Sequence, residues 1–209
     1  MSVEPSMSVS VADTGAFYVG GQQATAFTNR GNVLRGNTFA NIRNINGLGA
    51  SKKGALDVQA IYLDDQMSGW LVEGNKFINC TVGMFIGGGR DNTVRNSYFE
   101  HCDKAVHLDA RGSNWQKSAA NCTAPQPCRP GAGCWCNPAG ARWLASASPA
   151  TVHRWPRMLN FTYLTFPAFS EIASNVHCGC GRFLDQSMET AAAWHVIVEG
   201  NQNDTARCN

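Results

Sequence analysis

Charge is scarce in this chain: Asp, Glu, Lys and Arg together make up 15% of its 209 residues, and the formal net charge is +2. No basic stripe argues for a nucleic-acid partner, and no acidic run argues for a disordered, solvating tail. No apolar stretch is long enough to span a bilayer, so a membrane-spanning role is not expected. The opening MSVEPSMSVSVADTG lacks the charged start and apolar centre of a secretory signal. The triplet Gly87-Gly-Gly-Arg90 lacks the spacing of a phosphate-binding loop and its strand-to-helix setting, which excludes a nucleotide site there. Nothing in the sequence calls for a metal or another cofactor.

Glycine, asparagine and cysteine are plentiful instead. Twenty-one glycines and many asparagines suit a turn-rich β protein. Nine cysteines and four Asn-x-Ser/Thr sequons, at Asn79, Asn121, Asn160 and Asn203, point to a secreted or cell-surface protein. The odd cysteine total leaves at least one thiol outside any intramolecular pairing.

The main signal is a repeat. Val72 aligns with Val94, Phe77 with Phe99 and Cys80 with Cys102, each at an offset of 22 residues. Val106–Gly112 aligns with Met84–Arg90 at the same offset. Phe17–Gly20 followed by Leu34–Phe39 is an earlier copy with a longer first turn, and Val198-Glu-Gly-Asn201 repeats Val72-Glu-Gly-Asn75. Short alternating strands at this period, separated by Gly and Asn, describe an all-β chain coiled as a single-stranded, right-handed parallel β-helix of five or six rungs. One rung cannot bury its own apolar side chains, so equivalent residues must stack about 4.8 Å apart. Phe39, Phe77 and Phe99 are expected in one internal column, and Leu34, Val72, Val94 and Val198 in another. Cys80 and Cys102 are expected to act as small buried apolar residues.

Rungs are expected over residues 15–117 and again over 170–202. Residues 1–14 are expected to be a disordered or incomplete N-terminus, and 203–209 a tail. Between them the period disappears, and 118–169 is a Cys- and Pro-rich insertion, with short helices over Ala139–Leu159 interrupted at Pro149 and Pro156. Cys122, Cys128, Cys134 and Cys136 lack the paired knuckles of structural zinc sites, which favours disulfides there. The open ends of such a coil require caps, or end-to-end contacts with further domains.

Strand alternation then defines a candidate site. With Ile61, Leu63, Met84, Ile86, Val106 and Leu108 inward, the outward set is Tyr62, Phe85 and His107, beside Asp64, Gly87 and Asp109. Phe183 and Asp185 are expected to continue both columns, and the result is an exposed aromatic and acidic strip. Aromatic faces suit sugar rings, carboxylates suit sugar hydroxyls, and a glycine between them leaves room for a ligand. The same rings could instead stack simply to support the strand. Asp64 and Asp109 stand two rungs apart, roughly 9–10 Å by backbone spacing. Inverting glycosidase pairs lie about 6.5–9.5 Å apart with a water between them. Asp65 is an alternative partner, and adjacent Asp residues at a turn also cap backbone N–H groups. Arg90 and Arg111 either hold a uronate or sulfate group or pair with these Asp residues.

Tyr62-Leu-Asp-Asp, Gly69-Trp-Leu-Val-Glu-Gly-Asn-Lys-Phe77, Gly87-Gly-Gly-Arg-Asp-Asn92 and His107-Leu-Asp-Ala-Arg-Gly112 together resemble the right-handed β-helix proteins of the pectin-lyase-like superfamily. The resemblance implies a carbohydrate-active protein that binds or cleaves a polysaccharide along one sheet. Within it, a glycoside hydrolase using Asp64, Asp65 or Asp109 is expected before a polysaccharide lyase. Tyr62, Phe85, His107, Arg90, Arg111 and Asp185 would hold the glycan. The alternative is a non-catalytic glycan-binding or structural solenoid, or a fragment of a larger enzyme.

Overall fold

The computed structural model describes residues 2–3, 13–20, 30–43, 58–111, 149–159, 167–186 and 194–208. The expected insertion cysteines Cys122, Cys128, Cys134 and Cys136, and the sequons at Asn121 and Asn160, lie outside them.

The chain is a right-handed parallel β-helix of five rungs. After β1 (Ser2–Val3), the first rung is β2 (Thr14–Val19), β3 (Val33–Arg35) and β4 (Thr38–Ala40). The second is β5 (Val58–Leu63), β6 (Leu71–Glu73) and β7 (Lys76–Ile78), and the third β8 (Val82–Gly87), β9 (Thr93–Arg95) and β10 (Tyr98–Glu100). The fourth is β11 (Lys104–Asp109), β12 (Glu171–Ala173) and β13 (Val176–Cys178), and the fifth β14 (Arg182–Gln186), β15 (Ile197–Glu199) and β16 (Gln202–Asn203). Three parallel sheets result: β2-β5-β8-β11-β14, β3-β6-β9-β12-β15, and β1-β4-β7-β10-β13-β16.

The inner columns repeat residues of one kind, aromatic or aliphatic, along the axis. Phe39, Phe77 and Phe99 stack nearly parallel, with ring centroids 5.4 Å and 4.6 Å apart. The fifth-rung counterpart is shifted. Phe183 aligns beside the small residues Ala16, Ala60, Gly83 and Ala105, implied by the paired neighbours Leu184↔Val106, Val106↔Met84 and Ile61↔Met84. Small residues are needed there because a Cβ on Gly83 would meet the Phe99 ring at 2.9 Å. In the fourth rung His177 replaces the phenylalanine, and Phe183 fills the space by stacking on it at 4.6 Å. The aliphatic column is Leu34, Val72, Val94, Ile172 and Val198, with Ile172 as a member the repeat alone did not reveal.

The tight corner between the second and third sheets takes a positive φ in every rung, at Gly36, Gly74, Asn96, Ser174 and Gly200. The next residue then builds a polar ladder. The Asn37 N–H donates to Asn75 Oδ1 (2.9 Å), the Ser97 N–H to Asn175 Oδ1 (3.0 Å) and the Asn175 N–H to Asn201 Oδ1 (3.0 Å). These amides satisfy corner backbone groups that the strands cannot reach.

Cys80 and Cys102 are buried free thiols, and Cys180 continues their column. Cys178 forms a disulfide with Cys208 and ties the chain after β16 to β13. Of the helices expected over Ala139–Leu159, the described part holds α1, Pro149–Arg154, and a 3-10 turn, Pro156–Leu159, each beginning at a proline, while residues 139–148 lie outside the described residues. Proline's missing N–H costs nothing in a first helical turn.

Phe77 has a ring on each face, so Phe77→Ala is expected to cost about 3–5 kcal/mol. Urea unfolding at equilibrium measures it.

Candidate functional site

Alternation along the first sheet is as expected. Ile61, Leu63, Met84, Ile86, Val106 and Leu108 lie in the main core, while Tyr62 and Phe85 form a separate cluster with Val82. Register places Tyr18, Tyr62, Phe85, His107 and Asp185 in one column. Tyr18 and Tyr62 meet edge to face at 5.2 Å, Tyr62 and Phe85 at 4.8 Å, and Phe85 and His107 stack at 4.7 Å.

Two corrections follow. The ladder forms but is not an exposed strip: Tyr18 is 51% exposed, whereas Tyr62 and Phe85 are 0% and 2% exposed. The Arg111 guanidinium lies over both buried rings, 5.1 Å from the centre of Phe85 and 5.8 Å from that of Tyr62. The fifth rung is also displaced by two positions from the expected alignment. Asp185 pairs with His107 rather than continuing the Asp109 column, and Phe183 turns inward.

Arg111 organises the acidic residues. Its Nη1 pairs with Asp64 Oδ1, its Nη2 lies 2.9 Å from Asp109 Oδ2, and its Nε donates to Asp109 Oδ1 at 3.0 Å. Asp65 Oδ1 is 4.0 Å from Nη1. The guanidinium therefore stands between the two carboxylates that lie two rungs apart. Gly87 makes this arrangement possible, because a Cβ there would be 2.8 Å from Arg111 Cζ. The glycine expected to admit a ligand thus admits an arginine. Burial alone would lower the Arg111 pKa, but the attraction of Asp109, then of Tyr62 and Asp64, outweighs it and raises the pKa.

The surrounding groups are polar and occupied. The Tyr18 hydroxyl donates to Asp64 Oδ2 at 2.7 Å, and the Tyr62 hydroxyl to Asp13 Oδ1 at 3.0 Å. Burial raises both phenol pKa values, helped at Tyr18 by its hydrogen bond to Asp64. Asp64 Oδ1 also accepts the Asp65 N–H at 2.8 Å, closing a turn in which Asp65 and Gln66 both have positive φ (45° and 64°). This is the capping role open to adjacent Asp residues at a turn.

Arg90 does not join this group. Fully buried, it lies 3.3 Å from Asp91, donates to the Arg157 carbonyl at 2.8 Å and covers the Phe169 ring at 5.0 Å. His107 Nδ1 is 2.7 Å from Asp185 Oδ2, and Asp185 is also within 2.7 Å of Arg182 and 3.2 Å of Lys104. Among the described residues, no group of three or more His, Cys, Asp or Glu is disposed to hold a metal ion.

An open groove of about 820 Å³ on the third sheet had no counterpart in the repeat. Lys76, Tyr98, Glu100 and Val176 form its floor, and Ala206 and Arg207 its wall. Tyr98 and Glu100 are recognisable as outward positions, but the wall exists because the Cys178–Cys208 bond holds the 3-10 turn Thr205–Arg207 there. The Tyr98 hydroxyl donates to the Arg207 carbonyl at 3.4 Å. No protein-family profile matches the chain, and no curated protein or solved structure is significantly similar to it.

Removing the guanidinium would leave two buried carboxylates facing each other, so Arg111→Met is expected to cost about 3–5 kcal/mol. Chemical denaturation against the wild type checks this. Burial holds His107 and His177 below the ordinary imidazole range; Lys104 adds to the effect at His107 and Asp185 opposes it. Below about pH 6.5 the unfolded chain binds protons that the folded rings resist, so stability falls as pH falls. Asp185 adds the same sign at lower pH. Burial would raise its pKa, but Arg182 and His107 hold it at about 2. That contribution is lost from about pH 4 downward. Urea midpoints across this range should show the fall, and the paired His107→Gln and His177→Gln substitutions should flatten its upper limb.

Proposed function

We propose that this protein is a non-catalytic, glycan-binding β-solenoid that works outside the cell or at its surface. The observation that carries the reading is the Arg111 guanidinium between Asp64 and Asp109. Inverting hydrolysis needs one protonated carboxyl at the leaving oxygen and a water beside the other. Here the place of that water is taken by an arginine bonded to both, and the neighbouring rings are packed rather than presented.

The third-sheet groove is the better place for a ligand. It offers a half-buried tyrosine ring, the side chains of Ser174 and Asn96, and charges of both signs at Lys76, Glu100 and Arg207. An aromatic face with flanking hydrogen-bonding groups suits a sugar ring and its hydroxyls. The Cys178–Cys208 disulfide and the sequons support an oxidising compartment. The architecture shared with polysaccharide-processing β-helices is an analogy of fold, and the groove carries the binding argument.

A panel of neutral, uronate-containing and sulfated polysaccharides, tested by calorimetry and by chromatography of products, decides the matter. Binding without cleavage is expected, with Tyr98→Ala weakening it about tenfold and Asp64→Asn leaving it unchanged. Cleavage by the wild type that disappears in Asp64→Asn would overturn the proposal, as would a panel that shows no binding.

A further inference from the structure

The four large hydrophobic side chains with the greatest exposure among the described residues are Tyr18, Val33, Ile197 and Val198. All four belong to the first or fifth rung. Three of them lie in the second sheet, whose described edges are β3 and β15. Register links these edges position by position. Val33, Leu71, Thr93, Glu171 and Ile197 form one column, Leu34 to Val198 the next, and Arg35, Glu73, Arg95, Ala173 and Glu199 the third.

Within the chain, the third column alternates in charge where it can. Glu73 bonds Arg35 at 2.7 Å on one side and Arg95 at 2.8 Å on the other. Among the described residues, Glu199 at the far end has no ion pair, and the position beyond Arg35 at the near end is open. A second molecule stacked with the same register would place Ile197 against Val33, Val198 against Leu34 and Glu199 against Arg35. In the first sheet, Leu184 would meet Phe17 in the column set by Ile61, Met84 and Val106.

We propose that the fifth rung of one copy of this chain docks in parallel on the first rung of another, so that the solenoid continues head to tail. The matched apolar pairs, the Glu199–Arg35 pairing and the edges of β15 and β3 left unpaired among the described residues together select a second copy as occupant. Such a contact is heterologous, so it propagates rather than closing on itself. Burying Val198 completes a core column in which every interior member has neighbours on both sides. One element stands in the way. Ser2–Val3 pair with Thr38–Phe39, which is where Gln202–Asn203 of the preceding copy would lie. Association therefore displaces β1, a two-residue strand that partly caps the third sheet within the chain.

Sedimentation velocity across a wide concentration range tests the proposal on the full chain. The wild type should form species that grow past the dimer as concentration rises. Val33→Lys spoils one end and Ile197→Lys the other, so each alone should stay monomeric. An equimolar mixture of the two should stop at a dimer, because each supplies the surface that the other lacks. Glu199→Arg, which sets two arginines against each other, should weaken assembly without touching the apolar contact. Circular dichroism and urea midpoints confirm that each variant folds. A wild type that stays monomeric, or that stops at a dimer, overturns the proposal. So does self-association of Val33→Lys alone, or a folded mixture that fails to pair.

Discussion

Every side-chain column in this molecule follows from one constraint, the parallel in-register pairing of successive rungs. Once residue and residue-plus-one-rung are fixed side by side, the chain can build stability only by repeating compatible groups along the axis. Phenylalanine stacks on phenylalanine, thiol lies by thiol, and asparagine amides link successive corners. The same constraint punishes mismatch. Where His177 replaces a phenylalanine, the neighbouring column must change too, and Phe183 enters a line otherwise made of alanine and glycine.

The constraint also explains the acidic group. Carboxylates at equivalent places two rungs apart would repel across a short gap if nothing stood between them. The glycine at position 87 leaves that gap, and Arg111 folds back into it, so a cationic group joins three successive turns of the coil. Desolvating three charges is costly, and the cost is offset by pairing each charge and by aromatic faces under the guanidinium. The result locks the end of the first sheet to the turn that follows β5.

The fold was legible because the offset of 22 residues recurs across Trp70–Cys102 with both apolar and turn positions conserving their type. The central phenylalanine pair, the corner glycines and asparagines and the buried thiols followed from that offset, and the looser copies at Phe17–Phe39 and Val198–Asn201 extended it to five or six rungs, of which the structure has five. The fifth rung was read two positions out of place, since the long insertion removes the fixed offset and Phe183-Leu-Asp185 imitates His107-Leu-Asp109. Alternation correctly separated Tyr62 and Phe85 from the main core, but facing outward is not the same as meeting solvent. Whether Arg111 reaches a ligand or covers its own strand depends on its side-chain path, which no spacing encodes. The groove beside Tyr98 depends on a disulfide partner at Cys208, which likewise carries no periodic signal.

That disulfide has a mechanical consequence. A solenoid held together by nearest-neighbour contacts ordinarily unzips from its terminal turns, where each strand has a single partner. Here the last turn lies within a covalent loop, because Cys178 and Cys208 are 30 residues apart in sequence and enclose β14, β15 and β16. Tension applied beyond Cys208 bypasses the fifth rung and loads β13 directly. The entropy gained by peeling the last turn is thereby reduced, whereas β1 and β2 have no such clasp among the described residues, so fraying favours the opposite end.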